Sequence, residues 1–314
     1  MNWKLKASIG NAVSLLPSTL SYGVHSFVQR HFGRLRNTNP IDGLWAGSVF
    51  ADLIRGQNRS VESQLILEVG TGYQLNVQIG MWLCGVPQIV TVDLNPYLKL
   101  GPVLKDIADI RENREQVLKV FGDHVKQPLF QSRLESLLMG KFADIQSILN
   151  FMNIRYLAPA DATCLDLAPG SVDCHISHTV MEHIPPGVIL QILNEGKRVL
   201  KKDGLFIHEI DFSDHFACVD QNISSINFLQ FSEAQWEKYS GNRYAYHNRL
   251  RIDEFLDLFD KAGLDVISVK SHVDPRALDE IRKGMHIDAR FRGKSPEVNA
   301  SVSAWVVAAT RPDH

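Results

Sequence analysis

The sequence predicts a doubly wound α/β fold, a seven-stranded mixed sheet with helices on both faces and the last strand antiparallel. Three observations predict it. Beyond the turn-rich stretch 37–43, short apolar runs alternate with longer periodic segments, the pattern of βαβ units on a parallel sheet. The first apolar run ends directly on a glycine pair and the second on an acid. The last two runs, 265–269 and 302–309, have only a helical or loop excursion between them, so the final strand can enter beside the fifth in the opposite direction.

The elements follow in order. Leu65–Val69 (LILEV) is the first strand, and it meets Gly70-Thr71-Gly72. A helix continues to Cys84 and is stopped by Gly85 and Pro87, residues suited to helix ends. Gln88–Asp93 (QIVTVD) is the second strand. The charged stretch 97–150 is much longer than one crossover helix needs and reads as an inserted helical cap. Strands at 153–157 and 172–177 follow. A helix over 187–200 then carries Val188, Ile189, Ile192, Leu193, Val199 and Leu200 on one stripe. The fifth strand is 204–211, and 252–262 is a helix with Phe255, Leu256 and Phe259 inward. Residues 61–314 thus form one α/β domain, with a long excursion at 212–250 after the fifth strand, and 1–60 form an N-terminal helical extension.

Composition removes several function classes. With 314 residues, 33 basic and 35 acidic side chains and 22% charged residues, the chain is neither disordered nor a generally basic nucleic-acid binder. Cys84, Cys164, Cys174 and Cys218 show no C-x-x-C pair or zinc-ligand spacing. No apolar run reaches 18 residues, and no convincing cleavage site follows the start, so a cytoplasmic location is expected. Residues 1–37 hold Lys4, Lys6, Arg30, Arg34 and Arg36 and no acid, with Leu20, Val24, Phe27 and Val28 at helical spacing. This segment is either a packed helix with a solvated basic face or a contact for a membrane surface or an anionic substrate.

Glu68, Gly70, Gly72 and Asp93 form a nucleotide-binding arrangement. Glycines let the backbone turn tightly and approach a ligand, at the strand ends where such sheets bind. Asp93 can accept hydrogen bonds from both hydroxyls of a ribose. Two details separate the candidate ligands. The dinucleotide fingerprint needs a third glycine at position 75, which is Leu75, and Glu68 suits an ammonium group better than a pyrophosphate. S-adenosylmethionine carries an ammonium and a sulfonium, whereas NAD carries two phosphates.

At these residues the sequence resembles the class I S-adenosylmethionine-dependent methyltransferases, whose sheet is Rossmann-like. Their first motif, an acid and then G-x-G-x-G, is matched at Glu68, Gly70 and Gly72, with Gln74 replacing the last glycine. Pro159-Ala160-Asp161-Ala162 is similar to the segment whose Asp meets the adenine amino group and whose next residue offers a backbone amide. Ser171-Val172-Asp173, Val180-Met181-Glu182-His183-Ile184 and Leu200-Lys201-Lys202-Asp203-Gly204-Leu205 follow in the family's order. The resemblance spans 65–309. It implies S-adenosylmethionine as cofactor, held by Glu68, Gly70, Thr71, Gly72, Asp93, Leu94, Asp161, Ala162 and Ser177. It also implies transfer of a methyl group, here to a small-molecule or glycan hydroxyl. An NAD-dependent oxidoreductase and a binding protein that has lost catalysis are the rival readings.

A hydroxyl acceptor needs its proton removed, and a positioned base typically adds roughly 10² to 10⁴-fold. His183, from the family's E-H dipeptide, and His178, just after the fourth strand, are the candidates. Period-two alternation puts Glu209 and Asp211 on one face of the fifth strand and His208 on the other. Some relatives, the ubiquinone-pathway O-methyltransferases, carry a metal on E-x-x-E-H, but Thr179 occupies the first position here, so no metal is assigned. Glu182, Asp211 and His215 are the residues that can assemble one across two loops. In 212–250, aromatics including Phe216, Trp236, Tyr244 and Tyr246 are mixed with Asn242, Arg243 and Arg249. That mixture suits a sugar or an anionic acceptor, or a lid whose aromatics fill its own core. It does not suit a nucleic-acid groove.

Overall fold

The computed structural model describes residues 2–15, 39–242 and 245–311. Seven strands form one sheet in the order β3-β2-β1-β4-β5-β7-β6. They are β1 (Leu65–Val69), β2 (Gln88–Val92), β3 (Ile154–Leu157), β4 (Val172–His178), β5 (Leu200–Asp211), β6 (Leu264–Val273) and β7 (Ser301–Thr310). The first five pair in parallel, and β7 runs antiparallel between β5 and β6. The expected strand count and direction are both present. The strand order reverses between β1 and β4, which opens a crevice at their carboxyl ends.

The strands other than the largely exposed edge strand β6 alternate between two cores. Ile66, Cys174, Ile176, Leu205, Ile207, Trp305 and Val307 belong to one. Leu67, Val69, Val172, Phe206, Ile210, Val306 and Ala308 belong to the other. The first face carries α2 (Pro40–Gly56), α3 (Asn76–Leu83), α4 (Leu100–Glu112), α5 (Arg114–Val120), α6 (Pro128–Met139) and α7 (Ile145–Phe151), which all place residues in its core. The second carries α8 (Pro186–Val199) and, after α9 (Glu233–Ser240), the helix α10 (Ile252–Lys261). Helix α1 is Trp3–Ser14.

Two placements refine the expected outline. Helix α2, within the region read as an N-terminal extension, shares its core with β1 through Leu44, Phe50 and Ile54. It crosses α3 closely, for a Cβ on Gly47 would lie 2.5 Å from the Val77 carbonyl oxygen. The insertion expected as a cap instead lies along the sheet as more of the same layer. Val103, Ile107, Ile110, Phe130, Leu134 and Leu137 bury themselves there because an amphipathic helix must cover its apolar stripe.

The excursion after β5 builds a third, smaller core from Phe216, Phe228, Trp236 and others, joined by Phe291 from the segment between β6 and β7. Trp3 of α1 completes it, 4.7 Å from the Tyr239 ring and 5.6 Å from that of Phe216. Lys4 and Lys6 lie over the Trp3 and Phe216 rings. The remaining basic and apolar positions expected to form the amphipathic segment, Leu20 to Arg36, lie outside the described residues. Among the described residues, no helix is long and apolar enough to cross a membrane.

Candidate active site

The crevice is built from the glycine turn. Gly70 and Gly72 have φ of +91° and +67°, the left-handed region that glycine enters without penalty. A Cβ on Gly70 would strike the Val180 side chain at 2.3 Å, whereas one on Gly72 would meet no atom within 4 Å. The turn is therefore packed against the β4 loop on one side and open on the other. The Gly72 amide donates to Asp93 Oδ2 at 2.9 Å, and the Asn95 amide donates to Asp93 Oδ1 at 2.9 Å. Burial raises the Asp93 carboxyl above its ordinary range against these two amides. Leu94 beside it is 67% exposed, an apolar surface at the crevice mouth.

Glu68 lies on the α3 face of β1, fully enclosed. Thr91 donates its hydroxyl to Glu68 Oε2 at 2.5 Å, and the Gln78 side-chain amide donates to the same oxygen. Burial pushes its carboxyl up to about 7, against the pull of these donors and of His178 nearby. A cation placed beside it would restore its charge.

Three expected cofactor residues are placed differently. The Thr71 hydroxyl turns inward and pairs with that of Thr91 at 2.7 Å. Ser177 is fully buried and spends its hydroxyl on His208 Nδ1 at 2.8 Å. It sits on the α8 face because β4 alternates, so it cannot face the crevice. Asp161 caps its own turn, with Oδ1 accepting from the amide and hydroxyl of Thr163 at 2.9 and 2.8 Å. Its segment does lie beside β2, since the Ala160 amide donates to the Asp93 carbonyl at 2.9 Å. Ala162 is buried beneath it.

Gln74, the departure from the glycine motif, points away from the crevice. Its amide donates to both oxygens of Asp106 on α4, at 3.1 and 3.0 Å, and Asn76 adds a third donor. Tyr73 and Tyr97 stack with ring centroids 4.4 Å apart, next in sequence to the turn and just beyond the β2 tip. Composition alone did not single out this aromatic pair.

At the tips of β4 and β5 the two candidate bases separate. His178 shares the α3 face with Glu68, and its Nε2 lies 2.8 Å from Glu209 Oε2. The two residues are register partners across β4 and β5. Trp305 of β7 packs 6.5 Å from the His178 ring and 6.1 Å from Trp45 of α2. His183 closes a short 3-10 turn, Met181–His183. Its Nδ1 is 3.0 Å from the Tyr246 carbonyl oxygen, and its ring is 5.0 Å from that of His215. Thr179 between the two histidines takes a φ of +51°, a strained value for a β-branched residue.

Arg249 is spent on framework. Buried completely, it donates to the carbonyls of Phe228 and Phe231 and to Glu233. The aromatics of the excursion likewise fill its own core, and Arg243 and Tyr244 lie outside the described residues.

The strand order, the switch-point glycine turn and the acid at the tip of β2 define a class I methyltransferase fold. Residues 144–208 match the family model for a methyltransferase domain. That match supports a methyltransferase domain with S-adenosylmethionine as its methyl donor. No curated protein matches it. Among solved structures it is similar to an S-adenosylmethionine-dependent methyltransferase from Mesorhizobium loti, at 14% identity and a TM-score of 0.40 over 82% of this chain and 96% of that one. It is also similar to one from Methanosarcina mazei, at 13% and 0.41 over 82% and 98%. A third is geranyl diphosphate C-methyltransferase from Streptomyces coelicolor A3(2), at 11% and 0.44 over 83% and 78%.

Proposed function

We propose that this methyltransferase acts on an oxygen acceptor, a hydroxyl of a small molecule or glycan, with His178 as the base. The observation that carries the reading is the His178–Glu209 contact at 2.8 Å, on the same sheet face as Glu68. A hydroxyl is a poor nucleophile until its proton leaves, and a base steadied by a carboxylate is the arrangement that removes it. With Nε2 beside the Glu209 carboxylate, Nδ1 is the nitrogen that would take that proton. The donor supplies a methyl group on a positively charged sulfur. The acceptor oxygen forms its bond to carbon as the carbon–sulfur bond breaks, and the sulfur keeps that electron pair.

Glu68, Gly70, Gly72, Asp93 and Leu94 would hold the donor. Glu68 suits its ammonium group, the open space above Gly72 its close approach, and Asp93 its ribose. Holding the acceptor in line contributes most of the remaining rate. The test is mass-spectrometric screening of cell extract for species that gain one methylene when the protein and S-adenosylmethionine are added. Products methylated on oxygen support the reading. Products methylated only on carbon or nitrogen overturn its acceptor class.

A further inference from the structure

We infer that Asn248 is a positioning residue for donor binding, because it clasps the turn after β4 and so holds Val180 against the Gly70 turn. The inference rests on the reading of that glycine turn as the donor's seat. Asn248 is buried, and its polar groups are all engaged. Its backbone amide donates to the Glu182 carbonyl at 2.9 Å. Its Nδ2 donates to the carbonyls of Met181 at 2.8 Å and Ile184 at 2.9 Å. Its Oδ1 accepts from the Leu250 amide at 3.0 Å, and its carbonyl accepts from Arg290. One residue of the excursion after β5 thus holds three carbonyls of a turn that follows a different strand.

The direction of Asn248 is fixed from its own side. Arg249 takes a φ of +56°, and its amide donates to His247 Nδ1 at 3.0 Å. Its buried guanidinium is anchored on the carbonyls of Phe228 and Phe231. The clasp therefore stands on the third core. His183 adds one more link, with Nδ1 3.0 Å from the Tyr246 carbonyl oxygen.

At its other end the clasped turn reaches the glycines. Val180 immediately precedes Met181, and a Cβ on Gly70 would come within 2.3 Å of its Cγ2. The Gly70 amide donates to the Val92 carbonyl at 2.8 Å, so the glycine turn is gripped between β2 and Val180. Thr179, on the other side of Val180, takes a φ of +51° and gives its amide to the Glu209 carbonyl at 3.0 Å. A β-branched residue keeps such a conformation only where its surroundings over-determine it. The clasp supplies that constraint two residues further on. Releasing it lets Thr179 relax and Val180 leave Gly70.

The test is calorimetry with S-adenosylhomocysteine on the full chain, at a temperature where each variant is folded by circular dichroism. Asn248→Asp keeps Oδ1 and the backbone amide but loses both Nδ2 donors, and it should bind about 10- to 100-fold more weakly than wild type. Asn248→Ser, which adds no charge, is the second variant should the first not fold. Val180→Ala leaves the clasp intact and should weaken binding about 10-fold. The double variant should be about as weak as the weaker single, because both changes release the same contact. Asn227→Ala breaks another buried link of the excursion, to Asp214 Oδ2 at 3.1 Å. It should lower the melting temperature and leave affinity within about 2-fold, and a merely structural Asn248 would behave like it. If wild type binds while the Asn248 or Val180 variants match it, or if the two effects add in full, the positioning role is overturned alone. Wild-type protein that binds no S-adenosylhomocysteine removes the donor reading, and this inference with it.

Discussion

Glu68 offers the sharpest test of why this crevice exists. Its carboxyl is raised from the ordinary 4.5 to about 7, chiefly by burial. In the unfolded chain it ionises above about pH 4.5, while in the folded protein it holds its proton up to about 7. Between those values the folded state binds more protons, so stability falls as pH rises. Above 7 the penalty is constant. At 1.36 kcal/mol per pH unit, the interval corresponds to about 3 kcal/mol. Glu68→Gln keeps partners for Thr91 and Gln78 but removes the charge. Without ligand, the variant should be more stable than wild type by about 3 kcal/mol at pH 8 and by about 1 kcal/mol at pH 5. At about 2 °C per kcal/mol for a chain of this size, the rise in Tm is about 6 °C at pH 8 and about 2 °C at pH 5. S-adenosylhomocysteine, which keeps the ammonium group, should bind the variant about 10- to 100-fold more weakly, by calorimetry at pH 8, as expected when a charged hydrogen-bond partner is lost. A variant with the wild-type pH–stability profile and unchanged affinity would refute both the burial argument and the ammonium assignment.

Other perturbations probe the remaining parts of the site. Asp93→Ala should cost about 1–3 kcal/mol of S-adenosylhomocysteine affinity by stranding ribose hydroxyls, and it also releases the Gly72 amide, so calorimetry should show a weaker complex even where folding is intact. His178→Ala should lower kcat by about 10² or more with cofactor affinity nearly unchanged; full activity would place the base elsewhere, with His183 the next residue to replace. Gly70→Ala sets a methyl group into the Val180 side chain and strains the backbone, so a loss of roughly 1–3 kcal/mol in chemical denaturation is expected. Gln74→Gly should leave cofactor affinity close to wild type while lowering stability by about 1–2 kcal/mol, because the buried Asp106 loses two of its contacts; a tighter or much weaker complex would mean that the side chain does reach the ligand.

Much of this protein is written along the chain. Strand β1 and its glycine turn are legible because a short apolar run followed by glycines has few alternatives, and β5 because the apolar run Leu205–Ile207 follows the turn-forming Asp203-Gly204. Thr91 gave a quieter signal. It is a polar residue inside QIVTV, directly in register with Glu68, and a buried carboxyl on β1 needs just such a neighbour. The face of Glu209 and Asp211 also follows from period-two alternation, as does the exclusion of Ser177 and His208 from the crevice once the sheet order is known.

What sequence by itself determined here is therefore local: where strands start and stop, which turn needs glycine, and which strand ends carry acids. Tertiary structure decided everything that depends on residues far apart in the chain. It turned Gln74 to Asp106 on a distant helix, laid the long insertion along the sheet, and buried Arg249 in a framework. It also joined His178 to Glu209 and brought His215 to Glu182 and His183. The reason is physical. Backbone geometry and burial pattern repeat over a few residues and leave their period in the sequence, whereas the partner of a buried polar group is chosen by whichever distant side chain the packed layers deliver to it.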